Sequence, residues 1–149
     1  MNKSYLTAIK RKKLSAPVQW LFKSGLIKDP VLDYGCGKGD DVKHLRELGF
    51  NAHGFDPYWG PHSFLWQKYP TILCTYVFNA IKEEEREKEL SFLNWMLEAP
   101  WGKKLYITVR RDLKQNYIKT KRGTEQWMVY LDYPIIHETS SYCIYEVTR

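Results

Sequence analysis

The residues best able to do chemistry lie in one short segment, Val31-Leu32-Asp33-Tyr34-Gly35-Cys36-Gly37-Lys38-Gly39-Asp40. Its apolar start suits a strand that delivers Asp33 to the carboxyl edge of a sheet. The glycines let backbone approach a ligand where a Cβ would collide, and the helix expected beyond them has a polarised N-terminus. The spacing is G-x-G-x-G, with Asp40 where the dinucleotide fingerprint requires its last glycine, and the Gly-Lys-Ser/Thr of a P-loop does not occur. Pyridine nucleotides and ATP therefore fit poorly. A glycine-rich strand-to-helix turn can also be purely structural, so the reading turns on Asp56. That residue ends the next expected strand, near the roughly 20-residue offset at which an acid meets ribose hydroxyls in Rossmann-type sites. One carboxylate can accept from two hydroxyls, and Asp33 can pair with the ammonium of a zwitterionic amino acid. Two acids gripping opposite ends of an adenosyl amino acid fit S-adenosylmethionine.

The elements that must position these groups alternate. Residues 5–25 place Leu6, Ile9, Leu14, Val18, Leu21 and Phe22 at helical spacing, broken at Ser15-Ala16-Pro17; this predicts two helical segments, with Ser15 as N-cap of the second. A strand over Val31–Tyr34 and a helix over Asp40–Leu48, stopped by Gly49, form a strand-loop-helix unit. Ala52–Asp56 is the next strand, and Pro57-Tyr58-Trp59-Gly60-Pro61 cannot continue it. The apolar run Thr71–Ile81 suits a buried parallel strand, Glu83–Leu97 a helix with Leu90, Leu93 and Leu97 on one stripe, and Lys104–Val109 a further strand. Ile135-Ile136 and Tyr142–Val147, joined across Ser140-Ser141, predict a hairpin. The expected fold is α/β: a mostly parallel central sheet with helices on both faces and a C-terminal antiparallel hairpin. The stretch between Asp56 and Thr71 is too short for helix, strand and helix, so fewer strands than a standard seven are expected. One domain spans 1–149, its first 28 residues helical.

Asp33-Tyr34-Gly35-Cys36-Gly37-Lys38-Gly39 resembles the first motif of class I S-adenosylmethionine-dependent methyltransferases, and Gly54-Phe55-Asp56-Pro57 resembles their second. More narrowly, Thr7–Arg11, Leu14–Pro17, Asp33–Asp41, Gly54–Pro57 and Tyr76–Ile81 resemble methyltransferases associated with DNA phosphorothioation clusters and small phage-like relatives. The resemblance implies a Rossmann-like fold, S-adenosylmethionine as cofactor, and Asp33, Gly35, Gly37 and Asp56 as its contacts. Tyr34, Cys36, Pro57 and Thr75 complete the expected cofactor site. Those relatives continue well past the Thr120–Thr124 segment, so a substrate-recognition region is expected to be missing here.

In this class the loop after the fourth standard strand faces the methyl group, and Thr75-Tyr76-Val77-Phe78-Asn79 matches it. It holds neither the Asp/Asn-Pro-Pro-Tyr/Phe of exocyclic amino methylation nor a Pro-Cys for attack on a pyrimidine. Asn79 and Tyr76 are the catalytic-side candidates, one to orient an acceptor and one to supply a hydroxyl or an aromatic wall. Equally, Tyr76 can line the adenosine and Asn79 can cap the helix starting near Lys82. Trp59 and Trp66 could cover adenine or stack a substrate base, or simply pack. The basic stretch Lys114–Arg122 could track phosphates or be a solvated loop.

The formal charge of +6 favours acidic partners, and with the resemblance it favours nucleic acid over a small molecule as methyl acceptor. A catalytically silent S-adenosylmethionine-binding subunit acting with a partner, and a bare nucleic-acid-binding module, are the rival readings; a homo-oligomer is compatible with either. Cys36, Cys74 and Cys143 are too scattered for a disulfide framework or a metal pair, and His53, His62 and His137 lack partners at ligand spacing, so no metal is expected. His44 is expected on an exposed helix face. No apolar run approaches the roughly 20 residues of a membrane span, and the expected location is cytoplasmic.

Overall fold

The computed structural model describes residues 3–98 and 102–148; Met1 and Asn2 of the expected N-terminal segment, residues 99–101 and Arg149 lie outside them. The described chain runs α1 (Ala16–Lys23), β1 (Val31–Tyr34), α2 (Asp40–Glu47), β2 (Ala52–Phe55), β3 (Tyr69–Thr75), α3 (Glu83–Glu98), β4 (Gly102–Arg110), β5 (Tyr117–Lys119), β6 (Glu125–Trp127), β7 (Ile135–Glu138) and β8 (Tyr142–Thr148). Six strands form one sheet in the order β2-β1-β3-β4-β8-β7, and β5 and β6 pair separately. β2, β1, β3 and β4 are parallel, whereas β8 runs antiparallel to β4 and β7 antiparallel to β8. This is the expected mostly parallel sheet with an antiparallel hairpin, Rossmann-like and one strand short of seven.

Alternation of side chains divides the core between the two faces. Leu32, Cys74, Ile107 and Cys143 pack with Leu93, Met96 and Leu97 of α3. Their neighbours Val31, Leu73, Tyr106 and Ile144 pack with Val18 and Leu21 of α1 and Val42 and Leu45 of α2. Both faces are covered, which is why these strands read as continuous apolar runs. Asp33 shares the parity of Val31 and therefore sits at the carboxyl end of β1 on the α1–α2 face. The chain passes from β1 to β2 on one side and returns to β3 on the other, so a crevice opens at the carboxyl ends of these strands.

Three expectations change. The strand expected over Thr71–Ile81 stops at Thr75. Tyr76 adopts a left-handed φ of 59°, its N–H donates to the Thr108 carbonyl, and Phe78–Ala80 form a buried 3-10 turn. The apolar run continues because the turn is buried, not because the strand is. The N-terminal region is less helical than expected: Ser4–Thr7 form a 3-10 turn, and no helix forms again until α1. The Asp40 and Asp41 carboxylates take the N–H groups of Arg11 and Ser15, holding the intervening strap open. Ser15 occupies the N-cap position of α1 without a side-chain cap, because its hydroxyl donates to Asp41. Finally, His44 is only 15% exposed in its side chain; its ring nitrogens lie 3.3 Å from Glu47 Oε2 and 3.4 Å from the Arg11 carbonyl. Among the described residues no helix is long and apolar enough to cross a membrane.

Candidate active site

The carboxyl ends of β1, β2 and β3 form the floor of a cleft of about 980 Å³. All ten residues expected from sequence line it: Asp33, Tyr34, Gly35, Cys36, Gly37, Asp56, Pro57, Thr75, Tyr76 and Asn79. The glycine loop is locked beneath β2, with the N–H groups of Gly35 and Cys36 both donating to the Phe55 carbonyl at 2.8 and 2.9 Å. Gly35 has φ +82°, and a Cβ there would stand 2.4 Å from Val77 Cγ2. Gly37, also left-handed, would bring a Cβ to 3.3 Å from that of Ala8. Both positions therefore require glycine, one against the loop after β3 and one against the N-terminal strap.

Asp33 is 3% exposed, and its Oδ1 is buried with no hydrogen-bond partner. Burial first, and then the charges of Asp41 and Asp56, hold its carboxyl well above the usual range. Thr75 Oγ1, at the end of the neighbouring strand β3, is likewise buried and unpartnered. Asp56 is differently engaged: Oδ2 accepts from Gly37 N–H at 2.9 Å, and Oδ1 from the N–H groups of Tyr58 and Trp59, each at 2.9 Å. It ties the glycine loop to the turn after β2. The Cys36 thiol is pushed up to about 12 by burial and by Asp33 and Asp56, so it stays neutral and acts as packing under the loop.

The two catalytic-side candidates separate. Tyr76 packs at the edge of the α1–α2 core, its phenol pushed up to about 12 chiefly by burial, which keeps it protonated near neutrality. Asn79 is 2% exposed and its Nδ2 donates to Gln126 Oε1 of β6 at 2.8 Å. It therefore does not cap α3, which starts at Glu83, and its own Oδ1 is buried and unpartnered. Of the two tryptophans, Trp59 lines the cleft with Lys38 Nζ 5.1 Å above its ring. Trp66 packs away from it, against Phe64, Phe92 and Trp95.

Two elements roof the cleft; the sequence suggested only that Ser15 and Pro17 close over the site or cap α1, and of these Ser15 lines it. The strap before α1 crosses the glycine loop, fixed by Asp40 and Asp41 at one end; at the other, Tyr5 stacks on Tyr58 at 3.8 Å and Trp59 Nε1 donates to the Tyr5 carbonyl. The late basic stretch, expected as a loop or phosphate track, instead folds as the β5–β6 hairpin, whose Ile118, Thr120, Arg122, Thr124 and Gln126 line the cleft. Arg122 donates to the Leu6 carbonyl at 3.1 Å, joining hairpin to strap. The signal available in sequence was the Asp40-Asp41 pair opening α2: two acids at a helix start are ordinary there, so their grip on a distant segment was invisible. Among the described residues no group of three His, Cys, Asp or Glu side chains gathers as a metal site.

A family profile described as a methyltransferase domain matches residues 6–133. No curated protein matches the chain. Solved structures similar in fold include magnesium protoporphyrin IX methyltransferase from Synechocystis PCC 6803 with bound S-adenosylmethionine, at 18% identity and a TM-score of 0.53, covering 90% of this chain and 76% of that one. A glycopeptide N-methyltransferase complexed with sinefungin matches at 12% identity and a TM-score of 0.53, covering 95% and 79%. A structure described for conversion of a disulfide bond into a thioacetal group during echinomycin biosynthesis matches at 19% identity and a TM-score of 0.53, covering 67% and 52%. The chain thus spans about half the length of that last protein.

Proposed function

The chain belongs to the methyltransferase-domain family, and on that premise we propose that its cleft binds S-adenosylmethionine and delivers the methyl group to a small acceptor. One observation carries the reading: Asp33, buried, without a partner at Oδ1 and held above its usual range. A desolvated carboxylate is costly unless a cation pairs with it, and the ammonium of an amino acid is such a cation. Bound in this way, the cofactor would supply an electrophilic sulfonium methyl. The chain's own residues would do the rest by placement. Gly35 and Gly37 admit the ligand against backbone, and Asp56 faces the ribose. A carboxylate offers about four acceptor positions, and Asp56 already accepts three N–H groups, so a ribose diol would have to share them. Tyr76, protonated near neutrality, would act as a hydrogen-bond donor rather than a base, so the acceptor must bring its own lone pair.

The roof favours a small acceptor, since strap and hairpin meet across the cleft through Arg122 and Leu6. A nucleic-acid acceptor remains a second reading, supported by the resemblance to phosphorothioation-associated enzymes and by Lys119, Lys121 and Arg122 on the hairpin. Three free thiols fit a reducing, cytoplasmic setting.

The test is calorimetric titration with S-adenosylmethionine, S-adenosylhomocysteine and NAD. Binding of the first two alone is the expected outcome; binding of none, or of NAD, overturns the reading. A methylation screen of small acceptors against DNA and RNA then separates the two acceptor classes, and cofactor binding without any turnover would identify a silent subunit. Asp33 also gives a pH signature. Because its folded-state value is raised, the stability it contributes is full below the ordinary carboxylate range and is lost as pH rises through the raised value. The cofactor ammonium reverses that loss. Stabilisation by S-adenosylhomocysteine should therefore grow with rising pH in the wild type and stay flat in Asp33→Asn, measured by thermal unfolding across pH.

A further inference from the structure

We propose that the buried amides of Asn79 and Gln126 select the methyl acceptor, and that this acceptor is a neutral aromatic amine whose N–H donates to Asn79 Oδ1; this rests on the S-adenosylmethionine reading above. Backbone fixes the position of Asn79. After β3 the Tyr76 N–H is tied to the Thr108 carbonyl, and the Ala80 N–H closes the 3-10 turn on the Val77 carbonyl at 3.0 Å. Asn79 sits inside that turn, buried yet on the cleft wall. Its Nδ2 is committed to Gln126 Oε1 at 2.8 Å, so the amide plane is held and Oδ1 is the atom left over, buried and unpartnered. A buried acceptor without a donor carries its full desolvation cost, and a ligand N–H would remove it.

The hairpin sets the chemistry around this atom. The register partners Ile118 and Gln126 share one face, and Thr120 and Thr124 join them in the cleft wall. Tyr117 and Glu125 bond each other on the opposite face, where Tyr117 also packs on Trp127. The cleft face of the hairpin is therefore neutral as far as Arg122 at the tip, whose guanidinium reaches the Leu6 carbonyl. Val77, Ala80, Ile81 and Ile118 supply apolar surface for a flat ring.

Neither amide titrates, and no side chain on that face of the hairpin is a base. An alkyl amine, protonated near neutrality, has no lone pair to offer there, and an alcohol would need a base to remove its proton. An aromatic amine keeps both a lone pair and N–H groups. One N–H donates to Asn79 Oδ1 while the lone pair attacks. The N–CH3 bond forms as the S–CH3 bond breaks, the sulfur leaves uncharged in S-adenosylhomocysteine, and the positive charge passes to the amine nitrogen. Asn79 Oδ1 accepts from the nitrogen on which that charge develops, and water then takes the surplus proton. Gln126 acts through Asn79 and is a positioning residue.

The experiment is ligand-observed NMR titration of the full chain saturated with S-adenosylhomocysteine. The probes are an aminoquinoline and an aminoindole, each against the isostere in which methyl replaces the amine, together with benzylamine and a single-stranded oligodeoxynucleotide. Wild type should bind at least one aromatic amine ~10–100-fold more tightly than its isostere, the scale of a hydrogen bond to a buried acceptor. Asn79→Leu should erase that preference while its affinity for S-adenosylhomocysteine stays within a few-fold. Gln126→Leu, which lets the Asn79 amide turn, should narrow the preference to a few-fold, and Gln126→Glu, which still accepts from Nδ2, should restore it. No preference for either amine in wild type, tighter binding of benzylamine, binding of the oligodeoxynucleotide alone, or a preference untouched in folded Asn79→Leu overturns the assignment and leaves the cofactor reading intact. Should Asn79→Leu not fold, equal preferences in Gln126→Leu and Gln126→Glu overturn it. Failure of the wild type to bind S-adenosylhomocysteine overturns both.

Discussion

The floor and the roof of the cleft are built by different physics. The floor is backbone: the carboxyl ends of three parallel strands, with the Gly35 and Cys36 N–H groups fastened to the Phe55 carbonyl and a core on each face. The roof is held by side chains reaching across the chain, Asp40 and Asp41 to the strap, Arg122 to Leu6 and Asn79 to Gln126. Floor contacts are short-range in register and enforced by the whole sheet. Roof contacts are few and separable, so the floor should govern whether the site exists and the roof how long a ligand stays.

The sharpest way to break that division is at Gly35. Alanine there meets a left-handed φ and a side-chain atom at 2.4 Å, which should cost about 3 kcal/mol or more in urea unfolding. Gly39→Ala, with the same φ but nothing within 4 Å, should cost only about 1 kcal/mol; equal losses would mean that the Val77 contact is not limiting. Next comes Asp33→Asn, which should act with opposite signs: the ligand-free protein gains stability where pH exceeds the raised value of the Asp33 carboxyl, because a buried charge is gone, while S-adenosylhomocysteine binding weakens by about 1.5–3 kcal/mol. A loss of both would make Asp33 a structural residue. Asp41→Ala should leave stability within about 1 kcal/mol but raise the ligand's dissociation rate several-fold in stopped-flow. Arg122→Ala should do least, about 0.5 kcal/mol or less for one exposed hydrogen bond, with a dissociation rate changed by no more than about twofold.

The same division decided what could be read from sequence. Val31–Tyr34 and the glycines announce the floor because strand parity and left-handed turns leave local marks in residue type. Asp33, Gly35 and Gly37 lie in one segment, and Asp56 at the end of the next strand was enough to give that segment its reading. Tyr76 was harder: its apolar neighbours mimic a strand, and only the Thr108 carbonyl in β4 explains why the backbone turns there. The hairpin at Tyr117–Trp127 and the grip of Asp41 on Ser15 rest on partners tens of residues away, and a charged run looks the same whether it faces water or a cleft. Glu89 is the clearest case, since nothing in Glu83–Glu89 distinguishes it until the fold brings the Tyr34 hydroxyl within 2.6 Å of its Oε2 as a donor.

The placement of β8 has a consequence for how the molecule comes into being on the ribosome. Although last among the described strands, β8 is an interior strand, seated between β4 and β7. Until residues 142–148 have been synthesised, β4 presents Leu105, Tyr106, Ile107 and Val109 along an unpaired edge, the kind of surface that recruits other nascent chains. The early strands can pair as they emerge, but the sheet closes late and by non-local contacts, a topology that folds slowly. Polypeptides released before Tyr142 should therefore accumulate as aggregates rather than as shortened, soluble versions of this domain.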